Sequence, residues 1–458
     1  MIRIRILEVF VKKQQKIKKM ALPVLAAVFA LAALVVGFTI AHSRDRSVLA
    51  NVFEINNYQV QFTDTFQSPS NWITGQTVPK EIKVKNDTNT PVIARVKLTE
   101  TWDSKDGMGL PLVGAQSNVR MAVVNYLENS GWQLDGTWWY SPVLQPGETS
   151  TSLITGVTLN EDADLGADWR YGGATYKLSA KAEVIQSDLA ATEWHKKVIV
   201  SATNIAKQLY KYNNNRGGDY YFVKSVEKPS FIGTPIEDRF LLQDTEEGSN
   251  TPLYVWNSGV YALWYAEADD IYLTNGTFYS SYPNSYFISF RGFEGFRDFN
   301  TSMLTSMQKM FEYTDGSSLA GLETWDVSNV TSLTDAFYSA GSGTINDISA
   351  LSRWDVSNVT AARYMLSGHK VVDVSPLAAW NVRNIDDFYY MFVDNKIDGS
   401  ICSLADWPIR RDAYGYGIFA SNPDTYPVDA RCLESWNIDS NNDGWFQSNK
   451  YIKPSWAR

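Results

Sequence analysis

The chain has 458 residues, room for two or three domains, and 14% of them are aromatic, a composition that folds rather than one that stays disordered. Lys and Arg number 41 against 50 Asp and Glu; residues 1–20 hold seven of the basic side chains and one Glu, so the remainder carries 34 basic and 49 acidic groups, a net of −15. That acidic body argues against nucleic acid as a partner, because phosphate binding needs a basic face, and its plainest meaning is a solvated exterior.

In chain order, Arg3, Arg5, Lys12, Lys13, Lys16, Lys18 and Lys19 precede an apolar run from Met20 to Ala41. The run exceeds the ~7–15 residues of a signal-peptide core and reaches the ~20 needed to span a bilayer. Ala41-His42-Ser43 satisfies a small-x-small processing rule, with cleavage expected after Ser43. The basic flank keeps the N-terminus inside. Residues 1–43 therefore read as a cleaved signal peptide or a retained membrane anchor. Either way the rest is expected outside the cytoplasmic membrane, extracellular or at the cell surface, with membrane contact through the N-terminal helix before cleavage.

Residues 44–190 read as β-structure. Tyr58, Val60 and Phe62 alternate with polar residues, as do Ile82 and Val84, then Ala94, Val96 and Leu98, then Tyr176, Leu178, Ala180, Ala182 and Val184. Period two broken by turns such as Asn86–Pro91, Pro146-Gly147 and Gly172-Gly173 predicts half-buried antiparallel strands and a β-sandwich. A short helix is expected to interrupt it near Asn118–Asn129, where Val119, Val123, Tyr126 and Leu127 share one helical face. Residues 191–251 read as a helical and linker segment: helical spacing from Trp194 to Tyr212, a break at 213–218, and a polar stretch from Asp244 to Asn250. Residues 252–300 are rich in strand signals (Leu253–Trp256, Tyr261–Tyr265, Ile271–Leu273, Phe287–Phe290) and are the natural N-terminal cap for a solenoid.

From residue 301 to 458 the chain repeats itself. The pattern L-x-x-W recurs as Leu322 and Trp325, Leu351 and Trp354, Leu377 and Trp380, Leu404 and Trp407, Leu433 and Trp436, with successive tryptophans 29, 26, 27 and 29 residues apart. An apolar pair comes after most of them, ending in or containing Phe337, Met365, Phe392 and Phe419, and Phe299–Thr305 reads as a degenerate first rung. A fixed period of this size means stacked units that bury their apolar faces on one another. The fold class is thus mainly β, a sandwich followed by a solenoid. The rungs are expected to present a binding face rich in Trp and Tyr. The two cysteines, Cys402 and Cys432, fall in adjacent rungs. A rung spacing of about 4.8 Å lies within disulfide reach, so they form a cross-rung disulfide, unless their one-residue offset turns them apart as two buried thiols.

Signatures of catalysis are scarce. Of three histidines, His42 sits at the processing boundary, His195 is a lone His on an expected helix, and His369 is the third; no H-E-x-x-H, G-x-S-x-G or phosphate-binding loop occurs. Asp326, Asp355 and Asn381 could form a carboxylate row for Ca²⁺ but lack the dense spacing of calcium loops. No cofactor, no metal and no enzymatic activity are expected.

Two resemblances add to this. The strings Trp325-Asp-Val-Ser-Asn-Val-Thr331, Trp354-Asp-Val-Ser-Asn-Val-Thr360 and Trp380-Asn-Val-Arg-Asn-Ile-Asp386 resemble the BspA-type leucine-rich-repeat surface proteins over roughly Pro252–Arg458, although the last two rungs keep only L-x-x-W. That resemblance implies a surface-exposed, leucine-rich-repeat-like solenoid binding host or bacterial surface proteins or glycans. The long apolar run, Asn51–Ile55, Val78–Asn86, Val92–Glu100, Trp138-Trp139-Tyr140, Leu144–Glu148 and Ala182–Gln186 together resemble the TasA/camelysin-like biofilm matrix proteins of Gram-positive bacteria. That one implies export, a jelly-roll-like sandwich and self-assembly into fibres, with Val48–Tyr58 as a strand donated to the next subunit. The combined expectation is an exported structural or adhesive protein; the alternatives are a camelysin-like metallopeptidase and a membrane-anchored surface receptor.

Overall fold

The computed structural model describes residues 60–65 and 72–457, apart from breaks at 189, 191–193, 214–215, 230–239, 243–244, 269, 281–285, 341–342, 421–427, 440–443 and 447–450. The apolar run, the processing residues Ala41 and Ser43, and the strand expected at Val48–Tyr58 lie outside the described residues. Among the described residues no helix is long and apolar enough to cross a membrane.

The chain is mainly β. Its first body is built from β1 (Val60–Thr65), β2 (Thr77–Pro79), β3 (Glu81–Asn86), β4 (Val92–Asp103), β5 (Gly109–Leu110), β6 (Ala122–Tyr126), β7 (Gln133–Asp135), β8 (Trp138–Tyr140), β9 (Ile154–Leu159) and β10 (Thr175–Gln186). One sheet runs β10-β4-β8-β7 with β5 beside β4. The opposing layer holds β1-β3 and β2-β9-β6, and Leu153 N–H donates to Ile82 O at 2.9 Å to join the two parts. Period two delivers the core: Ile82, Val84, Val92, Ala94, Val96, Ile154, Ala180 and Ala182 meet between the layers while Glu81 and Lys181 stay outside. The turn after β3 is held by one residue. Buried Asn86 donates through Nδ2 to Thr90 O and Leu144 O and accepts from Thr88 N–H, so its side chain replaces the missing backbone partners.

The helix expected near Asn118–Asn129 is instead β6, an edge strand paired with β9. Asn118 and Asn129 bracket it with left-handed φ values of 58° and 55°, and its register shifts at Asn125/Tyr126. The bulge imitates a helical spacing of apolar residues.

A second body comes next: β11 (Lys197–Ser201), α1 (Ala202–Tyr212), β12 (Gly218–Lys224), β13 (Leu253–Ser258), β14 (Tyr261–Ala266), β15 (Asp270–Thr274), β16 (Tyr279–Ser280) and β17 (Tyr286–Gly292). The helical spacing read from Trp194 therefore resolves into a strand and a helix, with Ser201 Oγ accepting Asn204 N–H as the cap between them. The strands form the sheet β13-β14-β12-β17-β16, in which β12 is parallel to both neighbours, and β11 runs parallel to β15. Segment 191–251, expected as a helical and linker segment, supplies the packing helix of this body and two of its strands.

Its core runs without a break into the repeats, from Val198 to Tyr451. Tyr272 bridges in parallel to Asn300, and Phe278 N–H donates to Met310 O, so the first coil is laid directly on β15 and the loop after it. From there parallel bridges link Ser306 to Ser332, Ser332 to Ala361, Ala361 to Asp387 and Asp387 to Tyr414, one per coil. Backbone ladders of four bonds accompany them. Leu333, Asp335, Phe337 and Ser339 donate backbone N–H to Ala361, Arg363, Met365 and Ser367; Phe388, Tyr390, Phe392 and Asp394 do the same to Tyr414, Tyr416, Ile418 and Ala420. The far end is closed by Trp445, Phe446 and Trp456 and by the parallel pair β18 (Val428–Asp429) and β19 (Tyr451–Ile452).

Candidate binding face of the coil stack

The repeat motif has a mechanical explanation. In each coil the Leu carbonyl accepts the backbone N–H of the Trp three residues on, and also the indole N–H of the Trp in the next coil. Leu322 O takes Trp325 N–H at 3.2 Å and Trp354 Nε1 at 2.9 Å; Leu351 O takes Trp354 N–H at 3.1 Å and Trp380 Nε1 at 2.9 Å. Trp407 Nε1 reaches Leu377 O, Trp436 Nε1 reaches Leu404 O, and Trp456 Nε1 reaches Leu433 O, which adds a sixth tryptophan that L-x-x-W does not mark. Both lone pairs of a buried carbonyl are thereby used. Leu322, Leu351, Leu377, Leu404 and Leu433 are buried with Trp325, Trp354, Trp380, Trp407 and Trp436. Phe337, Met365, Phe392 and Phe419 fill the opposite side of each coil, Phe392 and Phe419 stacking at 5.7 Å and 4°. The expectation of a Trp-rich binding face is corrected on this point: a ring held by its N–H inside the stack is not available to a ligand.

The Asp/Asn row is also engaged locally. Asp326 Oδ1 accepts Ser328 N–H and Oγ–H, Asp355 Oδ1 accepts Ser357 N–H, and Asn381 Oδ1 accepts Arg383 N–H. Asn329, Asn358 and Asn384 each donate to a Ser carbonyl in the preceding coil, at 3.0, 2.7 and 2.6 Å. The Ser-Asn string is therefore a turn plus an inter-coil tie. Among the described residues no group of three or more His, Cys, Asp or Glu is placed to hold a metal ion. Cys402 and Cys432 are joined as a disulfide with Cα atoms 5.4 Å apart. His195 Nδ1 lies 2.7 Å from Asp135 Oδ2 at the surface, whereas His369 is buried with Nε2 on Phe337 O. Burial pushes the His369 imidazole down to about 4.

What the stack does display is tyrosine. Beside the second apolar pair of the coils, just after it at Tyr338 and just ahead of it at Tyr364 and Tyr390, Tyr rings form a line across the stack. Tyr279 meets Tyr313 at 4.8 Å, Tyr313 meets Tyr338 at 5.7 Å, and Tyr338 meets Tyr364 at 5.7 Å. Tyr364 continues to Tyr389 at 5.3 Å and to Tyr390 at 5.5 Å, and these reach Tyr414 and Tyr416 at 5.7 Å each. All are half-buried except Tyr414, which is 41% exposed. Two of them, Tyr364 and Tyr390, stand at a left-handed position that recurs in every coil. Three residues past each bridge, Lys309, Asp335, Tyr364, Tyr390 and Gly417 share the left-handed conformation, with φ of 58°, 56°, 52°, 51° and 66°. Burial, with a hydrogen bond to Tyr389, pushes the Tyr364 phenol up to about 12, and burial raises Tyr313, Tyr390 and Tyr414 as well, so these hydroxyls stay neutral. The charges on this face close on one another: Lys309 lies 3.6 Å from Glu312 and 3.9 Å from Asp335, and Arg363 lies 3.4 Å from Asp387 and sits over the Tyr389 ring.

The other side of the stack is fastened to the sandwich. Arg353, from the turn between coils, donates to Trp102 O at 2.7 Å and to the Asp103 carboxylate, which Lys177 also binds. Burial would raise the Asp103 carboxyl, but hydrogen bonds from Lys177 and Arg353 outweigh it and hold the group below its usual range. Trp169 Nε1 and Gln116 Nε2 both donate to Asp406, Asn381 donates to Asn118, and Ala379 packs into the sandwich core.

Sequence reasoning anticipated the buried repeat positions and a face rich in Tyr, but not which tyrosines form it, although a signal was present: Tyr364 and Tyr390 immediately precede Met365 and Met391. It had no means of finding Arg353 with Asp103, 250 residues apart.

A family model described as Mycoplasma protein of unknown function, DUF285, matches residues 284–404, from the segment leading into β17 to the fourth L-x-x-W leucine. No curated protein and no solved structure matches the chain. The C-terminal part is thus similar to that repeat family, over just the residues that lay down the first coils.

Proposed function

We propose that this is an exported, surface-associated structural and adhesive protein whose coil stack holds its partner, a protein or a glycan, on the tyrosine face. The observation that carries the reading is the line of half-exposed rings from Tyr313 to Tyr416, packed on one another and backed by a continuous core. Tyrosine offers large contact area at small entropy cost, and a rigid array loses little freedom on binding. The basic and apolar N-terminal segment supports export, the repeat-family similarity supports a surface role for the C-terminal part, and the likeness of the sandwich to TasA/camelysin-like matrix proteins supports a place in an extracellular matrix. The test is adhesion of beads coated with the full chain to an array of immobilised surface proteins and polysaccharides. The double variant Tyr364→Ser/Tyr389→Ser is expected to lose at least tenfold of the retained beads with its melting temperature little changed. Equal retention by the variant would refute the assignment of the face.

A further inference from the structure

We infer that the ligand of the tyrosine face is a neutral, extended, β-linked polysaccharide lying along the stack, one sugar ring per coil. The inference rests on the proposal that this face is the binding face, and adds the chemistry of the occupant.

Three features point the same way. The first is charge. The ionic groups within the face, the cations Lys309 and Arg363 and the carboxylates Glu312, Asp335 and Asp387, lie against one another, and burial raises the Tyr313, Tyr364, Tyr390 and Tyr414 phenols. A polyanion finds no open cationic row there, and the complement of such a surface is an uncharged molecule. The second is spacing. Successive rings along the line lie 5.3 to 5.7 Å apart, because each coil contributes a ring and the ladder between coils fixes the rise. A pyranose ring in an extended chain advances by about as much. The third is the mix of contacts. From Tyr313 to Tyr338, Tyr338 to Tyr364 and Tyr364 to Tyr389, the ring planes turn by 68°, 71° and 86°, while Tyr389 and Tyr414 lie within 10° of parallel. The row therefore offers ring faces together with ring edges and their hydroxyls. A pyranose has the matching mix of apolar C–H faces and hydroxyl edges: the aromatic faces take the C–H groups, and the phenols exchange hydrogen bonds with the sugar hydroxyls. A globular protein partner would call instead for a compact central patch ringed by polar groups, and this array is a line.

The experiment is calorimetric titration of the full chain with cellohexaose and with chitohexaose, alongside their dimers and a heparin oligosaccharide. The expected result is binding of at least one neutral hexamer, at least tenfold tighter than its dimer and little changed between low and high salt. Tyr364→Ala and Tyr389→Ala should each weaken it at least fivefold, and Tyr364→Phe, which keeps the ring and the fold, should weaken it less. Binding only of heparin with a steep salt dependence, no binding of any neutral oligomer, or neutral binding indifferent to these substitutions each overturns the inference. If the bead assay shows the face at work while no oligosaccharide binds, the face takes a protein: the function stands and this inference falls.

Discussion

The indole ladder makes a sharp prediction at Trp354. Its ring is fully buried, stacks on Trp325 at 6.5 Å and 6°, and donates to Leu322 O at 2.9 Å. In Trp354→Phe the Leu322 carbonyl keeps Trp325 N–H, so what is lost is one net hydrogen bond, about 1 kcal/mol, and not the full cost of an orphaned buried acceptor. The smaller ring leaves a gap of roughly 40 Å³, about 1 kcal/mol more at ~24 cal/mol per Å³. The expected loss is therefore about 2 kcal/mol, against ~3–5 kcal/mol for Trp354→Ala. Urea unfolding followed by far-ultraviolet circular dichroism measures it, with an unchanged slope showing that the same surface is exposed. Replacing the indole by its benzothiophene isostere, which keeps shape and removes the N–H, isolates the bond and should cost about 1 kcal/mol. A loss below ~0.5 kcal/mol for Trp354→Phe, the size of an ordinary surface change, would refute the claim that the indole holds the coils together.

Two further outcomes concern the same stack. Replacing both Cys402 and Cys432 by Ser opens a loop closed over 30 residues, worth ~3.5 kcal/mol in the chain-entropy account; limited proteolysis should then cut beyond Trp407 and spare the earlier coils, and an unchanged cleavage pattern would count against a local staple. His369 is held down to about 4 by burial from 6.5, so between those values the unfolded chain takes a proton that the folded chain refuses. Stability is full above that window, falls as pH drops through it and levels off below. The melting temperature of His369→Gln should fall less than that of the native chain from pH 7 to 4, and parallel curves would show that the imidazole does not titrate in this way.

The repeat was readable because it is a statement about period: Leu and Trp return at the intervals that stacking imposes, and an ordinary globular core imposes no such spacing. The sandwich strands were readable for a similar reason, since Ile82, Val84, Val96 and Ala182 alternate with charges on a two-faced sheet. Where the reading failed, two patterns overlapped. A bulged edge strand between two left-handed asparagines placed Val123, Tyr126 and Leu127 at helical intervals, and only pairing with β9 distinguishes the cases. Residues 194–212 carried their own boundary, Ser201 as a cap, but the strand before it gains its identity from β15, more than 70 residues on. The tyrosine face was hardest, because a tyrosine turned outward and one turned inward are the same letter. The left-handed backbone at Tyr364 and Tyr390 is what turns them out, and that conformation comes from the ladder, not from the residue.

The direction of the indole bond has a consequence for how such a chain is made and how it changes. Every tryptophan of the ladder reaches back, never forward, so a coil is completed by the one synthesised after it. A chain emerging N-terminus first would close its stack in order, starting from the template of β15, with a single unfinished coil at the growing end until Trp456 arrives. The same polarity makes the coil the unit of inheritance. Deleting or duplicating one whole period presents each leucine carbonyl with an equivalent indole, whereas a change of a few residues breaks the match. The length of the tyrosine line is therefore set in whole periods.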